Sequence, residues 1–207
     1  MKTNLLTQSI IAILATLIVC GTASASIAGS AHDFSTKGWN TTGEMCVVCH
    51  TPHNADNTVA NAPLWNHDVT TATYTPYTSL TLDATVGQPA GTTKLCLSCH
   101  DGTIAVDSFG GATGTNFLTG GKNLSIDLSD DHPISFTYDA TLASADAGLF
   151  DPTSVNSGLG GTIDADMLFG GKVECSSCHD VHNAFNNNDL LVKSNAGSAL
   201  CLTCHNK

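Results

Sequence analysis

Four copies of C-x-x-C-H punctuate the chain, at Cys46/Cys49/His50, Cys96/Cys99/His100, Cys175/Cys178/His179 and Cys201/Cys204/His205, and they use eight of its nine cysteines. Two sulfurs one helical turn apart can each form a thioether to a haem vinyl group, and the next residue then turns its imidazole onto the iron. Each motif is therefore expected to anchor one haem c and supply its proximal ligand, giving four covalently bound haems. Paired C-x-x-C motifs also bind structural zinc, and a single pair in a βαβ setting serves thiol redox chemistry. A disulfide framework would suit an exported chain. None of the three explains a histidine directly after every second cysteine.

The opening Met1-Lys2-Thr3-Asn4, the apolar run Leu5 to Cys20 and the small stretch Gly21-Thr22-Ala23-Ser24-Ala25 read as a secretory signal peptide over residues 1–25. Residues 26–207 are expected to form one tetrahaem domain that starts at Ser26, is secreted, passes through the periplasm to the cell surface, and has no membrane span after cleavage. Cys20 leaves with the leader, because Val19 stands where a lipoprotein signal wants a small residue.

That leaves about 45 residues per haem. Charged residues are 12% and aromatics 6% of the sequence, so the chain is poor in the material of a large side-chain core. Four porphyrins must supply much of the buried apolar surface, and the haem-free chain is expected to be largely unfolded. The net charge is −11 and arginine is absent, which argues against nucleic acid and anionic membranes as partners. Asp127, Asp130 and Asp131 read as a solvated loop rather than a calcium site.

The motifs alternate in two types. Cys49-His50-Thr51-Pro52-His53-Asn54-Ala55 matches Cys178-His179-Asp180-Val181-His182-Asn183-Ala184, while Leu95 to His100 matches Leu200 to His205. Upstream, His32-Asp33-Phe34-Ser35 weakly matches His132-Pro133-Ile134-Ser135. The chain is expected to be a duplicated two-haem unit.

Five histidines remain as distal ligands for four irons: His32, His53, His67, His132 and His182. His67 has no counterpart in the repeat and is the expected spare. A residue three positions after a proximal histidine shares its face of the helical turn, with Cβ atoms about 5–6 Å apart, so it cannot reach the far side of the same iron. His53 and His182 must each serve a different haem. Of the methionines, only Met45 and Met167 lie beyond the leader, and Met45 abuts Cys46; four bis-histidine haems follow, with potentials below those of His/Met cytochromes.

Between the motifs periodicity is poor. Short helical turns are expected at each C-x-x-C-H, short strands within residues 71–85 and Ile134–Tyr138, and turns at the Gly-Gly pairs 110–111, 120–121, 160–161 and 170–171. The fold class is mostly irregular coil with short helices around a closely packed chain of four c-type haems.

Taken in order, HDFS, CVVCHTPHN, LWNH, LCLSCHDG, DLSDDHPISF, CSSCHDVHN and LCLTCH resemble the doubled C-x-x-C-H cytochromes of metal-reducing bacteria, in particular the tetrahaem members that polymerise into extracellular filaments. The resemblance implies an irregular fold around a continuous haem chain, subunits joined head to tail, and electron delivery to metal oxides or partner cytochromes. It implies that His53 ligates a haem of a neighbouring copy, with the haem on Cys201, Cys204 and His205 as the recipient. The alternatives are a soluble periplasmic tetrahaem shuttle and an oxyanion reductase. The latter needs an open iron, whereas all four motifs end in histidine and extra histidines suffice to close every site, so no catalytic residues are expected.

Overall fold

The structure, a computed structural model, describes residues 27–207. The expected leader and the start at Ser26 lie outside the described residues. Most of the described chain is coil and turn. Its longest helix is α1 (Gly91–His100), followed by β1 (Phe136–Thr137), α2 (Ala140–Ala145), α3 (Ile163–Met167), β2 (Lys172–Val173), α4 (Cys175–Cys178) and α5 (Cys201–Cys204), with three single turns of 3-10 helix between them. Three of the helices carry haem-binding motifs. The others are short segments started by side-chain caps: Asp139 accepts from the Leu142 N–H and Thr162 from the Ala165 N–H, which satisfies donors that a helix start leaves open.

The strand expected around Ile134–Tyr138 forms as β1, paired antiparallel with β2 in the register Phe136 to Val173 and Thr137 to Lys172. The strand expected within residues 71–85 does not form; Thr75 makes only an isolated bridge to Asp127. Pro76 cannot donate to a ladder. In addition, the Gln88 side chain takes the place of a neighbouring strand, its Oε1 accepting from Tyr74 N at 2.8 Å and its Nε2 donating to Tyr74 O at 2.9 Å. The four Gly-Gly pairs do sit in turns, bends or a 3-10 turn.

Apolar burial is divided among small clusters. The largest joins Phe136, Tyr138, Ala143, Ile163, Met167, Val173, Val192 and Leu200, all in the second half of the chain. Met167 is buried in this cluster, as a core side chain. Tyr138 reaches through it to donate to Phe150 O, and Phe150 N in turn donates to Cys204 O at 2.9 Å, so the last motif is docked onto this core. Two lesser clusters, around Trp65 with Leu95 and around Tyr74 with Leu97, lie beside the first two motifs. Among the described residues, no helix is long and apolar enough to cross a membrane.

Candidate haem sites

Each motif makes one helical turn. The proximal N–H donates to the carbonyl of the first motif cysteine in three of them, His50 to Cys46 at 2.8 Å, His179 to Cys175 at 3.0 Å and His205 to Cys201 at 3.0 Å; His100 ends α1. Cysteines and histidine thus share one face, as haem attachment requires. The first motif does this as an isolated turn without a helix on either side.

Backbone carbonyls orient three proximal imidazoles through Nδ1: Pro63 O for His50 at 2.6 Å, Lys122 O for His100 at 2.8 Å and Asp189 O for His179 at 2.9 Å. A carbonyl on Nδ1 fixes the tautomer and presents Nε2 to a metal. The duplication is visible in this detail. Thr51 N donates to Leu64 O and Asp180 N to Leu190 O, while Asn66 N returns to Cys49 O and Val192 N to Cys178 O. Leu64 and Leu190 both occupy the left-handed region, at φ 54° and 57°. Leucine pays about 1–2 kcal/mol there; the same unusual backbone at two equivalent places follows directly after the residues whose carbonyls hold the imidazoles.

Three proximal rings each face one further histidine. His32 and His100 have ring centres 6.0 Å apart, His50 and His182 6.1 Å, and His132 and His205 6.4 Å. A histidine nitrogen sits about 2 Å from a bound metal and the ring centre about 1.2 Å behind it, so two trans imidazoles on one ion have centres about 6.3 Å apart. The spacing of all three pairs fits an iron between them. Among the described residues, neither His179 nor His53 faces another ring, and both are exposed. His67 is 1% exposed, and its two nitrogens lie against Asp68 O at 2.8 Å and Ala105 O at 2.9 Å, which leaves neither for a metal.

The motifs approach one another in chain order. Cys49 packs against the cluster that holds Leu95, α1 meets α4, and Cys178 and Cys204 pack against the same core cluster. α1 docks on α4 through Thr93 Oγ1, which accepts from Cys175 N at 3.0 Å, and through the Thr92 and Ser176 hydroxyls at 2.5 Å.

Several observations test whether these surroundings suit haem. The Trp65 Nε1–H is buried without an acceptor and its ring packs on Cys49, and His32 Nδ1 is likewise buried and unpartnered; the indole leaves a donor for a haem propionate. Leu64, Phe117, Leu124, Phe169 and Leu202 are exposed large apolar side chains close in sequence to the motifs or to their carbonyl partners, which suits porphyrin faces. Burial pushes the Cys49, Cys99 and Cys204 thiols up to about 11, 12 and 11, away from the thiolate character that redox cysteines need. All eight described cysteines are free of disulfides, and among the described residues no three metal-binding side chains converge as zinc would require. His32 is driven down to about 4 by burial and by the neighbouring His100, His179 and Lys122, so its imidazole is neutral, the form that ligates metal. The surroundings fit. Haem would be held by the eight cysteines and the facing imidazoles, and would supply one-electron chemistry when bound.

Two buried acids lie outside the motif pattern. Asp101 and Glu174 immediately follow the second motif and precede the third, and both are folded inward under hydroxyl groups. Their neighbouring motifs are the only signal of them in the sequence.

Residues 169–207, which hold the third and fourth motifs, match the family model described as the doubled CXXCH motif. No curated protein matches the chain. The match and the mostly coil fold with few short helices support a multihaem c-type cytochrome, whose CXXCH motifs indicate covalently bound haem and a role in electron transfer.

Proposed function

We propose that the chain is an exported tetrahaem electron carrier of the OmcE-like type, with bis-histidine irons, that polymerises head to tail into an extracellular filament and passes electrons to metal oxides or partner cytochromes. The observation that carries this reading is the pairing of the histidines. Three proximal rings have a facing imidazole within the chain, whereas His179 and the exposed His53 have none among the described residues. In the duplicated unit His53 corresponds to His182, which faces His50 of the other half. By the same relation His53 would serve His179, the counterpart of His50, in a neighbouring copy. This recipient differs from the haem on Cys201, Cys204 and His205 that the resemblance implies, and is preferred because the His205 ring lies 6.4 Å from that of His132 in its own chain. A contact that joins one patch to a different patch on the next copy propagates instead of closing.

The same His179 favours a second reading. In a monomer its iron would keep an open face, as a reductase acting on small oxyanions requires. Electron micrographs and low-temperature paramagnetic resonance of purified holoprotein separate the two. The filament reading expects fibres with all irons low-spin, and a His53→Ala variant that neither assembles nor keeps the third iron six-coordinate. Fibres unchanged in His53→Ala, with every iron still low-spin, would overturn it. A wild-type monomer with one persistent high-spin iron that binds nitrite would favour the reductase, and a monomer with four low-spin irons the periplasmic shuttle.

A further inference from the structure

The two inward-turned acids distinguish haem sites that the repeat makes look alike. Asp101 is 4% exposed. Its Oδ2 accepts from Tyr74 Oη at 2.5 Å and Thr70 Oγ1 at 2.7 Å, and its Oδ1 accepts from the Thr103 N–H and hydroxyl, both at 2.7 Å. Glu174 is 2% exposed. Its Oε2 accepts from Ser135 Oγ at 2.8 Å, its side chain also takes the Ser177 N–H, and Ser177 Oγ accepts from Glu174 N at 2.9 Å. Among the described residues neither acid meets a cation within ion-pair distance.

Each buried carboxylate stands directly beside an attachment motif, Asp101 following His100 and Glu174 preceding Cys175. These belong to the second and third motifs, the pair joined where α1 meets α4. The fourth site has a cation folded in beside it, while Asp146 and Lys207, of opposite sign, both lie near His205. Lys193 Nζ is half-buried, donating to Ser157 O at 2.6 Å and to Oγ1 of Thr203, the residue before Cys204, at 2.9 Å. Lys122 lies near His32 and opposes Asp101, but it is exposed, and solvent and salt screen an exposed charge far more than a buried one.

A fixed negative charge in a low-dielectric setting favours the iron state with one more positive charge, so it favours ferric over ferrous haem. We propose that Asp101 and Glu174 make the second and third haems harder to reduce than the fourth, which Lys193 makes easier. Electrons then meet a step between the third and fourth sites, and the polymer would repeat that step once per subunit. This rests on the four-haem reading above, and goes beyond it by assigning an order of reduction and the side chains that set it.

The test is a potentiometric titration of the purified holoprotein followed by NMR of the haem methyl groups, with haem stoichiometry from mass spectrometry. In the wild type the fourth haem is reduced before the second and third. Asp101→Asn and Glu174→Gln each move one haem, the second and third respectively, toward easier reduction by about tenfold in the ferrous-to-ferric ratio, equivalent to 59 mV for one electron. Lys193→Gln moves the fourth haem the other way. Reduction of the second or third haem before the fourth, or four populations unchanged in all three variants, would overturn the proposal. If a carboxylate variant fails to take up haem, the wild-type order and Lys193→Gln still decide. Fewer than four haems per chain would instead be a failure of the tetrahaem reading itself.

Discussion

His50 and His182 come from opposite halves of the chain, yet their ring centres are 6.1 Å apart with planes inclined by 14°. His182 stands three residues after His179, so one short segment carries the proximal imidazole of the third site and the facing imidazole of the first. The two sites are thereby fixed relative to each other by covalent backbone as well as by packing.

That arrangement sets the outcome of His182→Ala. With four bis-histidine haems in a polymer as proposed, the first iron would lose its sixth ligand and the others would keep theirs. The optical and resonance spectra of the assembled holoprotein are then expected to show one high-spin haem per chain, recoverable to low-spin with added imidazole. His67→Ala is expected to leave all irons low-spin, because both His67 nitrogens lie against carbonyls. Its cost is to stability, about 1–3 kcal/mol for a buried carbonyl left without its donor, measurable by denaturant unfolding.

How much of this was legible in the sequence depends on the kind of interaction. The motifs and the A-B-A-B order are local facts, and the matching turns at Leu64 and Leu190 follow that order closely. The rule that a C-H-x-x-H histidine cannot cap its own iron is local geometry as well. The partner it reaches is not local. His132 beside His205 comes from tertiary folding of residues 132–205 around Ile163 and Tyr138, a cluster built from coil, short helices and a two-residue strand pair, whose one readable alternation, at Ile134–Tyr138, does not say what it packs against. The missing strand at residues 71–85 failed for a similar reason: a side-chain amide, Gln88, satisfies the backbone that a strand partner would have satisfied. Asp101 and Glu174 were hidden because acids are normally read as surface groups.

Removing the haems should not affect the chain evenly. The cluster of Phe136, Ile163, Met167 and their neighbours packs side chain on side chain, whereas residues 27–135 hold only small clusters against their motifs. In haem-free protein, NMR dispersion and amide protection are expected to survive, if anywhere, between residues 136 and 200. Ile163 is 0% exposed, and Ile163→Ala should cost about 2–5 kcal/mol and abolish that residual structure. Uniform dispersion across the apoprotein would contradict this division.

Asp107 offers a pH test away from every motif. It clamps the loop that follows, accepting from Thr115 N at 2.9 Å, Asn116 N at 2.8 Å and Asn116 Nδ2 at 2.7 Å. Desolvation pushes its pKa up, but the Asn116 and Thr115 donors outweigh that and hold it below the ordinary value. A depressed folded pKa means stability that is fully present above the unfolded value of about 3.9 and lost as the pH falls through the lower folded value. Asp107→Ala should therefore weaken the fold at neutral pH and make its stability less sensitive to acid below about pH 4. Equal acid sensitivity in wild type and variant, by denaturant titration at stepped pH, would count against the clamp.

Asn54 gives the simplest backbone test. It follows His53 at φ 56°, a left-handed conformation that asparagine tolerates and alanine does not, at about 1–2 kcal/mol for an L-residue. Its side chain is exposed, so a substitution changes little besides the backbone. Asn54→Ala should lower stability by about 1 kcal/mol, while Asn54→Gly, which has no Cβ to clash, should hold close to wild type. If His53 joins neighbouring copies as proposed, Asn54→Ala is also expected to reduce filament yield while leaving the haem content unchanged. Measuring both quantities on the same preparation separates the presentation of His53 from general destabilisation: Asn54→Ala and a core variant matched in stability, such as Ile163→Val at about 0.5–1.5 kcal/mol, should differ in assembly and agree in unfolding midpoint.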